Sequence, residues 1–282
     1  MVGTAADATV GDALGAASDA LVAAGVPEAR LDAEVLLAAA SGRGRASLIA
    51  DPSGPLPPAV SRLYGEFVRR RLRREPVAYI VGTKGFRRIE LAVDRRVLVP
   101  RPETELLVEV ALERQPGRVL DVGTGSGAIA LALASELPEA RVAGCDVSGD
   151  ALDVARANGE RLGVEVEWVA SDMLAGVEGR RFHLVVSNPP YVAAGEIEAL
   201  EPEVRDWEPR GATVAGETGL EAIERLVAQA PAALEPGGAL VLEVGAGQAA
   251  AVAALLEGAG LAGVGRDPDH AGIERIVWGR AV

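Results

Sequence analysis

The chain has 282 residues, 49% of them hydrophobic and 24% charged, which is typical of a globular protein with one large domain or two smaller ones. Its formal net charge of −13 argues against general binding to nucleic acid, because such binding requires Lys and Arg to neutralise phosphates. One cysteine and two histidines exclude an intramolecular disulfide and a Cys/His metal cluster, and no signal peptide or membrane-spanning apolar run is present. We therefore expect a cytoplasmic protein that binds no metal, no membrane and no nucleic acid directly.

The first 75 residues predict a small helical domain. Apolar residues at helical spacing indicate helices over Val10–Gly25 and Pro27–Ala40. A third helix follows the Pro/Gly-rich break Asp51–Pro58 and ends before Pro76. Its last turns, Arg69–Arg74, contain five arginines, which we interpret as a solvated helix face in preference to a docking patch for a partner.

The rest of the chain predicts a β-hairpin linker followed by an α/β domain. Residues 76–100 contain three short β-like runs, namely Val77–Val81, Ile89–Val93 and Arg96–Val99. Over residues 101–282, strand-like and helical segments alternate, which indicates a mostly parallel sheet with helices on both faces. The predicted strands are Val119–Val122, Arg141–Asp146, Val166–Val169, Leu184–Ser187, Ala239–Val244 and Glu274–Gly279. The stretch Val192–Gly219 has no clear period, and we expect it to act as a lid over the substrate.

A glycine-rich loop follows the first strand of the α/β domain. In the segment Asp121–Ala128, three alternating glycines allow a tight turn and a close approach of the backbone to a ligand at a helix N-terminus. The next strand ends at Asp146, a carboxylate suited to accept both hydroxyl groups of a ribose. Together these features predict a nucleoside site, although the loop alone does not distinguish NAD from S-adenosylmethionine.

The segment Ser187-Asn188-Pro189-Pro190-Tyr191 ends the strand Leu184–Ser187. Two successive prolines form a rigid turn that lacks N–H donors. The Asn188 side-chain oxygen and the Pro189 carbonyl can accept hydrogen bonds from a planar NH₂ group, and the Tyr191 ring can stack on that group. This pattern predicts an acceptor that is a conjugated amine or amide: glutamine, asparagine, adenine, cytosine or guanine.

At this point the sequence resembles the protein-(glutamine-N5) methyltransferases of peptide chain release factors, the PrmC/HemK family. The resemblance covers roughly residues 75 to 280. It is carried by Glu75–Gly82, Val99–Glu105, Asp121–Ala130, Ser187–Tyr191, Glu203–Pro209 and Leu242–Gly245. It implies a Rossmann-like class I methyltransferase with a seven-stranded sheet, S-adenosylmethionine as methyl donor and release factors as protein substrates.

The resemblance also implies the roles of individual residues. Gly123, Thr124, Gly125, Ser126 and Gly127 would hold the methionine end of the cofactor, Asp146 its ribose, and Asp172 and Met173 its adenine. Asn188, Pro189, Pro190 and Tyr191 would hold the glutamine, with Asn188 next to the cofactor as well. Two positions depart from the family: Met173 stands where an aromatic residue is common, and Thr218 stands where Asp is common.

Three other functions fit parts of the pattern. A methyltransferase for exocyclic amines of DNA or RNA shares the Asn-Pro-Pro-Tyr segment, but the negative charge of the chain argues against it. A glutamine methyltransferase for a ribosomal protein would carry the same site. A docking protein that binds the cofactor without catalysis would not need the complete Asn-Pro-Pro-Tyr segment.

Overall fold

The computed structural model describes residues 9–282, which form two compact units. The helical unit contains the described residues up to Gly82 together with the separate segment Pro202–Trp207. The sheet unit contains Thr83–Glu201 and Glu208–Val282. The stretch predicted as a lid therefore contributes to both units.

Five helices form the first part of the helical unit: α1 Val10–Ala23, α2 Ala29–Ser41, α3 Arg45–Ala50, α4 Pro58–Arg71 and α5 Val77–Val81. Thr9 caps α1, because its Oγ1 accepts from the Asp12 backbone N–H at 3.1 Å and the Asp12 carboxylate reaches back to the Thr9 N–H. Apolar residues at helical spacing, among them Leu14, Leu21 and Leu36, are buried together. The helical unit thus has its own core.

The segment Val77–Val81 is a helix, so the strand predicted there is wrong. Pro76 precedes its first residue, and Gly82 ends it with a φ of 85°. Ile80 packs into the core of the helical unit. The hairpin itself consists of β1 Thr83–Phe86 and β2 Ile89–Ala92, and the predicted third run Arg96–Val99 forms no strand.

The arginine-rich end of α4 is only partly solvated, which corrects its interpretation as a solvated face. Arg71 is buried, and its Nε donates to Asp32 at 2.7 Å while its Nη1 lies 2.6 Å from Glu203 Oε1. Arg74 donates to both oxygens of the same Glu203 at 2.7 Å. These charge-assisted bonds hold the helix Pro202–Trp207 within the helical unit.

The sheet unit is built on a central sheet of seven strands. After the hairpin, its helices are α6 Thr104–Leu112, α7 Ala128–Glu136, α8 Gly149–Leu162, α9 Glu221–Ala233 and α10 Ala249–Gly258, with short helical turns at Ala175–Val177, Ala194–Ala199 and Arg210–Thr213. Its strands are β3 Arg118–Val122, β4 Arg141–Asp146, β5 Glu167–Ala170, β6 Phe182–Ser187, β7 Val192–Ala193, β8 Val214–Gly216, β9 Leu234–Glu243, β10 Ala262–Pro268 and β11 Glu274–Arg280. The strand order is β10-β11-β9-β6-β3-β4-β5.

The central sheet is mostly parallel, as predicted. Strands β9, β6, β3, β4 and β5 pair in parallel, and β11 pairs antiparallel with both β9 and β10. The chain proceeds from β3 to β4 on one side and later adds β6 on the other, so the strand order reverses at β3. The strand with Asn188 at its end therefore lies beside the strand of the glycine loop. Among residues 9–282, no helix has the length and hydropathy of a membrane span.

Candidate functional site

A cavity of about 510 Å³ opens at the carboxyl ends of β3, β4 and β6. We call it the switch-point cavity, because open α/β sheets bind ligands where their strand order reverses. Its volume lies within the range of small-molecule sites. Seven of the predicted site residues line it: Gly123, Gly125, Asp146, Asp172, Met173, Asn188 and Pro190. The other five, Thr124, Ser126, Gly127, Pro189 and Tyr191, are not among the residues that line it.

The glycine loop adopts a backbone that only glycine enters without strain. Gly123, Gly125 and Gly127 have φ values of 71°, 55° and 82°. The N–H groups of Gly123 and Thr124 both donate to the Cys145 carbonyl at 2.9 Å, which fixes the loop against β4. A Cβ at Gly127 would lie 3.0 Å from atoms of Leu131 and Trp168, so this glycine is also required for packing.

Asp121 at the base of the loop is fully buried and ties the loop to α7. The Thr124 hydroxyl donates to Asp121 Oδ2 at 2.6 Å, and the Ala130 backbone N–H donates to the same oxygen at 3.2 Å. Burial raises the pKa of Asp121 to about 7. Its other oxygen has no hydrogen-bond partner within the described part of the chain. This carboxyl group therefore organises the loop from behind.

Asp146 forms one wall of the switch-point cavity. Its Oδ2 accepts from the Gly125 N–H and its Oδ1 from the Ser148 N–H, both at 2.9 Å. Each carboxylate oxygen still has a lone pair for a ligand hydroxyl group. The next residue, Val147, is 75% exposed and also lines the cavity. An apolar surface thus lies beside a pair of acceptors.

Asp172 and Met173 lie on the same side of the cavity. The Asp172 carboxylate accepts from Arg225 at 2.7 Å, and both groups are largely exposed. Met173 has a positive φ of 52°, and its carbonyl accepts from the Ser171 hydroxyl at 2.7 Å. This turn directs the chain after β5 along the cavity.

The Asn-Pro-Pro-Tyr segment leaves the sheet directly after β6. The Ser187 hydroxyl donates to the Val122 carbonyl at 2.7 Å and so joins the ends of β6 and β3. The Asn188 Nδ2 donates to the Thr104 hydroxyl at 3.0 Å. Burial raises the pKa of Tyr191, and its carbonyl accepts from the Gln248 side chain at 3.0 Å. The segment is therefore held on both sides by contacts distant in sequence.

The second half of the predicted lid also lines the cavity, at Pro209, Gly211, Ala212, Val214 and Ala215. Its position is fixed at Glu208, whose side chain is buried and forms an ion pair with Arg101. Burial raises the pKa of Glu208, and the Arg101 charge opposes that rise.

Sequence reasoning gave no role to several residues at this site, including Thr104, Ser148 and the segment Arg96–Leu98. Of these residues, only Thr104 lies in a segment that the sequence analysis singled out, Val99–Glu105, and that segment had no assigned contact. Over residues 9–282, no group of three or more His, Cys, Asp or Glu side chains is placed to hold a metal ion.

Comparison with solved structures shows the fold. A methyltransferase from Pyrococcus furiosus matches with a TM-score of 0.53 and 20% identity over 68% of this chain and 89% of that one. A 16S rRNA methyltransferase from T. Thermophilus, in complex with AdoMet and guanosine, matches with a TM-score of 0.52 and 20% identity over 71% of this chain and 50% of that one. The fold is that of a class I methyltransferase.

Family models and sequence relatives define the family. The model described as "Methyltransferase small domain" matches residues 102–201, and "PrmC N-terminal domain" matches residues 12–82. A release factor glutamine methyltransferase from Geobacter sulfurreducens is 43% identical over 91% of both chains. Another, from Cereibacter sphaeroides, is 46% identical over 95% of this chain and 97% of that one. The chain belongs to the release factor glutamine methyltransferase family.

Proposed function

We propose that this protein transfers the methyl group of S-adenosylmethionine to the side-chain amide nitrogen of a glutamine in a peptide chain release factor. The acceptor in this proposal is the glutamine of the Gly-Gly-Gln motif. The observation that carries the proposal is the switch-point cavity, where the glycine loop, Asp146 and Asn188 line one space. Membership of the family supplies the identity of the substrate.

The residues around the cavity fit the methyl donor. The exposed backbone of Gly123 would accept the methionine end, and Asp146 has a free lone pair on each oxygen for the ribose hydroxyl groups. Val147 and Met173 offer apolar surface to the adenine, with Asp172 beside them. When bound, S-adenosylmethionine supplies a methyl group on a positively charged sulfur.

The acceptor nitrogen of an amide is a weak nucleophile, because its lone pair is delocalised into the carbonyl group. Catalysis then depends on orientation. The Asn188 Oδ1 and the Pro189 carbonyl would accept hydrogen bonds from the substrate NH₂ and aim the nitrogen at the methyl group, with Pro190 and Tyr191 forming the walls of the pocket. Methyl transfer would form a bond between the nitrogen and the methyl carbon and break the sulfur–methyl bond, whose electron pair would stay on the departing neutral thioether. The nitrogen would lose one proton to solvent.

Glycines around the substrate glutamine fit this pocket, because residues without side chains let the glutamine reach into a narrow site. We further propose that the predicted helical domain, residues 1–75, docks the release factor. Residues 76–100 would then serve as the linker and 101–282 as the catalytic domain. Methylation of release factors would take place in the cytoplasm.

The proposal is tested by incubating the purified chain with methyl-labelled S-adenosylmethionine and an intact release factor, followed by mass spectrometry of the labelled residue. We expect label on the glutamine of the Gly-Gly-Gln motif and none on a Gln→Glu variant of the factor. Equal labelling of both, or label only on a ribosomal protein, DNA or RNA added to the same reaction, would refute it.

Asn188→Ala is the enzyme variant for the same assay. It should bind the methyl donor nearly as the wild type does but lower kcat about 100-fold, because the variant no longer orients the nitrogen. Wild-type turnover in this variant would remove Asn188 from the mechanism.

A further inference from the structure

A buried threonine contacts the residue that is proposed to hold the substrate amide. Thr104, the first residue of α6, is 4% exposed, and its hydroxyl oxygen accepts from Asn188 Nδ2 at 3.0 Å. On its other side the hydroxyl lies near the carboxyl group of Glu243, the last residue of β9, which is 2% exposed and whose Oε2 has no hydrogen-bond partner within residues 9–282. The three side chains form a chain of polar groups that begins at the cavity and ends in the interior of the sheet unit.

Helix formation does not explain this threonine. The N-cap position of α6 is Glu103, and no side chain caps the helix. A buried hydroxyl group is costly unless it is hydrogen-bonded, and valine has nearly the same shape without that cost. The hydroxyl of Thr104 is therefore explained by the two polar groups beside it, the Asn188 amide and the Glu243 carboxyl group.

The chemistry of the chain sets the direction of each hydrogen bond. A threonine hydroxyl has a single proton, and an ionised carboxylate only accepts, so the Thr104 proton is drawn toward the nearby Glu243 carboxylate. Thr104 then has only lone pairs for Asn188 and must face its NH₂ group. The Asn188 Oδ1 is consequently turned the other way, where it can accept from a substrate NH₂.

The two ends of an asparagine amide have nearly the same size, so packing alone hardly distinguishes them. With the amide rotated by half a turn, Asn188 would present an NH₂ group to a substrate NH₂ group, and donor would oppose donor. We infer that Thr104, oriented by Glu243, is a positioning residue that selects the productive amide orientation of Asn188. This inference rests on the proposed function.

The charge state of Glu243 determines whether the Thr104 hydroxyl proton points toward Glu243 or toward Asn188. Burial raises the pKa of Glu243 to about 7, the Thr104 hydroxyl lowers it, and Glu103 raises it. The charges of Arg275 and Arg101 lower the pKa of Glu243. The charge of the same carboxylate raises the pKa of Tyr191. A protonated Glu243 can donate to Thr104, whose proton is then free to point at Asn188. We expect kcat to fall as pH drops through this pKa.

The first test replaces Thr104 in the full chain and measures methyl transfer to an intact release factor. Thr104→Val should lower kcat about 10- to 100-fold, while the affinity for S-adenosylmethionine changes by less than about twofold. Thr104→Ser keeps the hydroxyl and should restore kcat to within about threefold of wild type. Thr83→Val, in the hairpin, is the matched control and should leave kcat unchanged. Wild-type kcat in Thr104→Val would overturn the inference.

The second test asks whether Thr104 acts through Asn188. In an Asn188→Ala background, Thr104→Val should cause no further loss, because the amide to be oriented is absent. If the losses in kcat of the two variants multiply, Thr104 and Asn188 act independently, and the inference is contradicted.

Glu243→Gln covers the case in which Thr104→Val does not fold. The fall of kcat below about pH 7 should disappear in this variant, and its persistence would also overturn the inference. If the wild-type chain does not methylate the release factor, the proposed function fails. If the wild-type chain methylates it and Thr104→Val is equally active, only the inference fails.

Discussion

Replacing Asp146 with alanine tests the proposed ribose contact. The carboxylate has two functions in the structure: it accepts the N–H groups of Gly125 and Ser148 at 2.9 Å, and it presents both oxygens to the switch-point cavity. Asp146→Ala removes the acceptors for the ribose and also leaves the Gly125 N–H, in the glycine loop, without its partner.

Hydrogen bonds to a charged group contribute about 1.5–3 kcal/mol. Loss of the ribose contacts alone would then weaken binding of S-adenosylmethionine about 10- to 160-fold. Because the loop is loosened as well, we expect a loss near the upper end of that range, about 3 kcal/mol. The free enzyme should also unfold at a lower denaturant concentration.

Isothermal titration calorimetry of S-adenosylmethionine measures the effect directly. Asp153→Ala is the matched control, because Asp153 is exposed on α8, pairs with Arg156 at 2.8 Å and does not line the cavity. It makes the same change in net charge and should leave the Kd unchanged. Unaltered affinity in a folded Asp146→Ala variant would refute the ribose contact, and an equal loss in both variants would point to net charge alone.

Two further variants probe how the site is supported. In Gly144→Ala a Cβ would lie 2.6 Å from the Trp168 ring, so thermal denaturation should show a loss of about 1–3 kcal/mol; Gly149→Ala, with open space at its Cβ, should show none. Arg101→Ala leaves the buried Glu208 carboxylate unpaired, at a cost of about 3–5 kcal/mol. Burial already raises the pKa of Glu208, and without Arg101 it rises further, so the folded variant binds a proton that the unfolded chain releases. Its stability should therefore fall as pH increases from about 5 to 8. A loss of stability relative to wild type that is equal at both pH values would contradict this account.

The mostly parallel sheet was predictable, because strand-like runs alternate with helices, and the polar motifs were found in the sequence because they follow strand ends. The helix Val77–Val81 was not predictable, because three of its five residues are β-branched and only the flanking proline and glycine indicate a helix. The strand β10 was missed because it contains Gly263 and Gly265. A Cβ at Gly265 would lie 2.3 Å from the Trp278 ring, so packing removes the apolar side chain that would have identified the strand.

The contacts within the site could not be predicted from the sequence for a different reason. Thr104 and Asn188 are separated by 84 positions, and the glycine loop contacts Asp146 across 21. Each of these residues is unremarkable among its own neighbours. Their partners become identifiable only when the sheet brings the strand ends together.

The discontinuity of the helical unit affects its folding during synthesis. Residues up to Gly82 leave the ribosome first, but Glu203, the partner of Arg74, follows 129 positions later. At translation rates of about 5–20 residues per second, that interval is roughly 6 to 26 s. During this time Arg71, buried in the finished protein, has Asp32 as an ionic partner but not yet Glu203. The unit that is synthesised first is therefore completed only after β3 to β6 have been made.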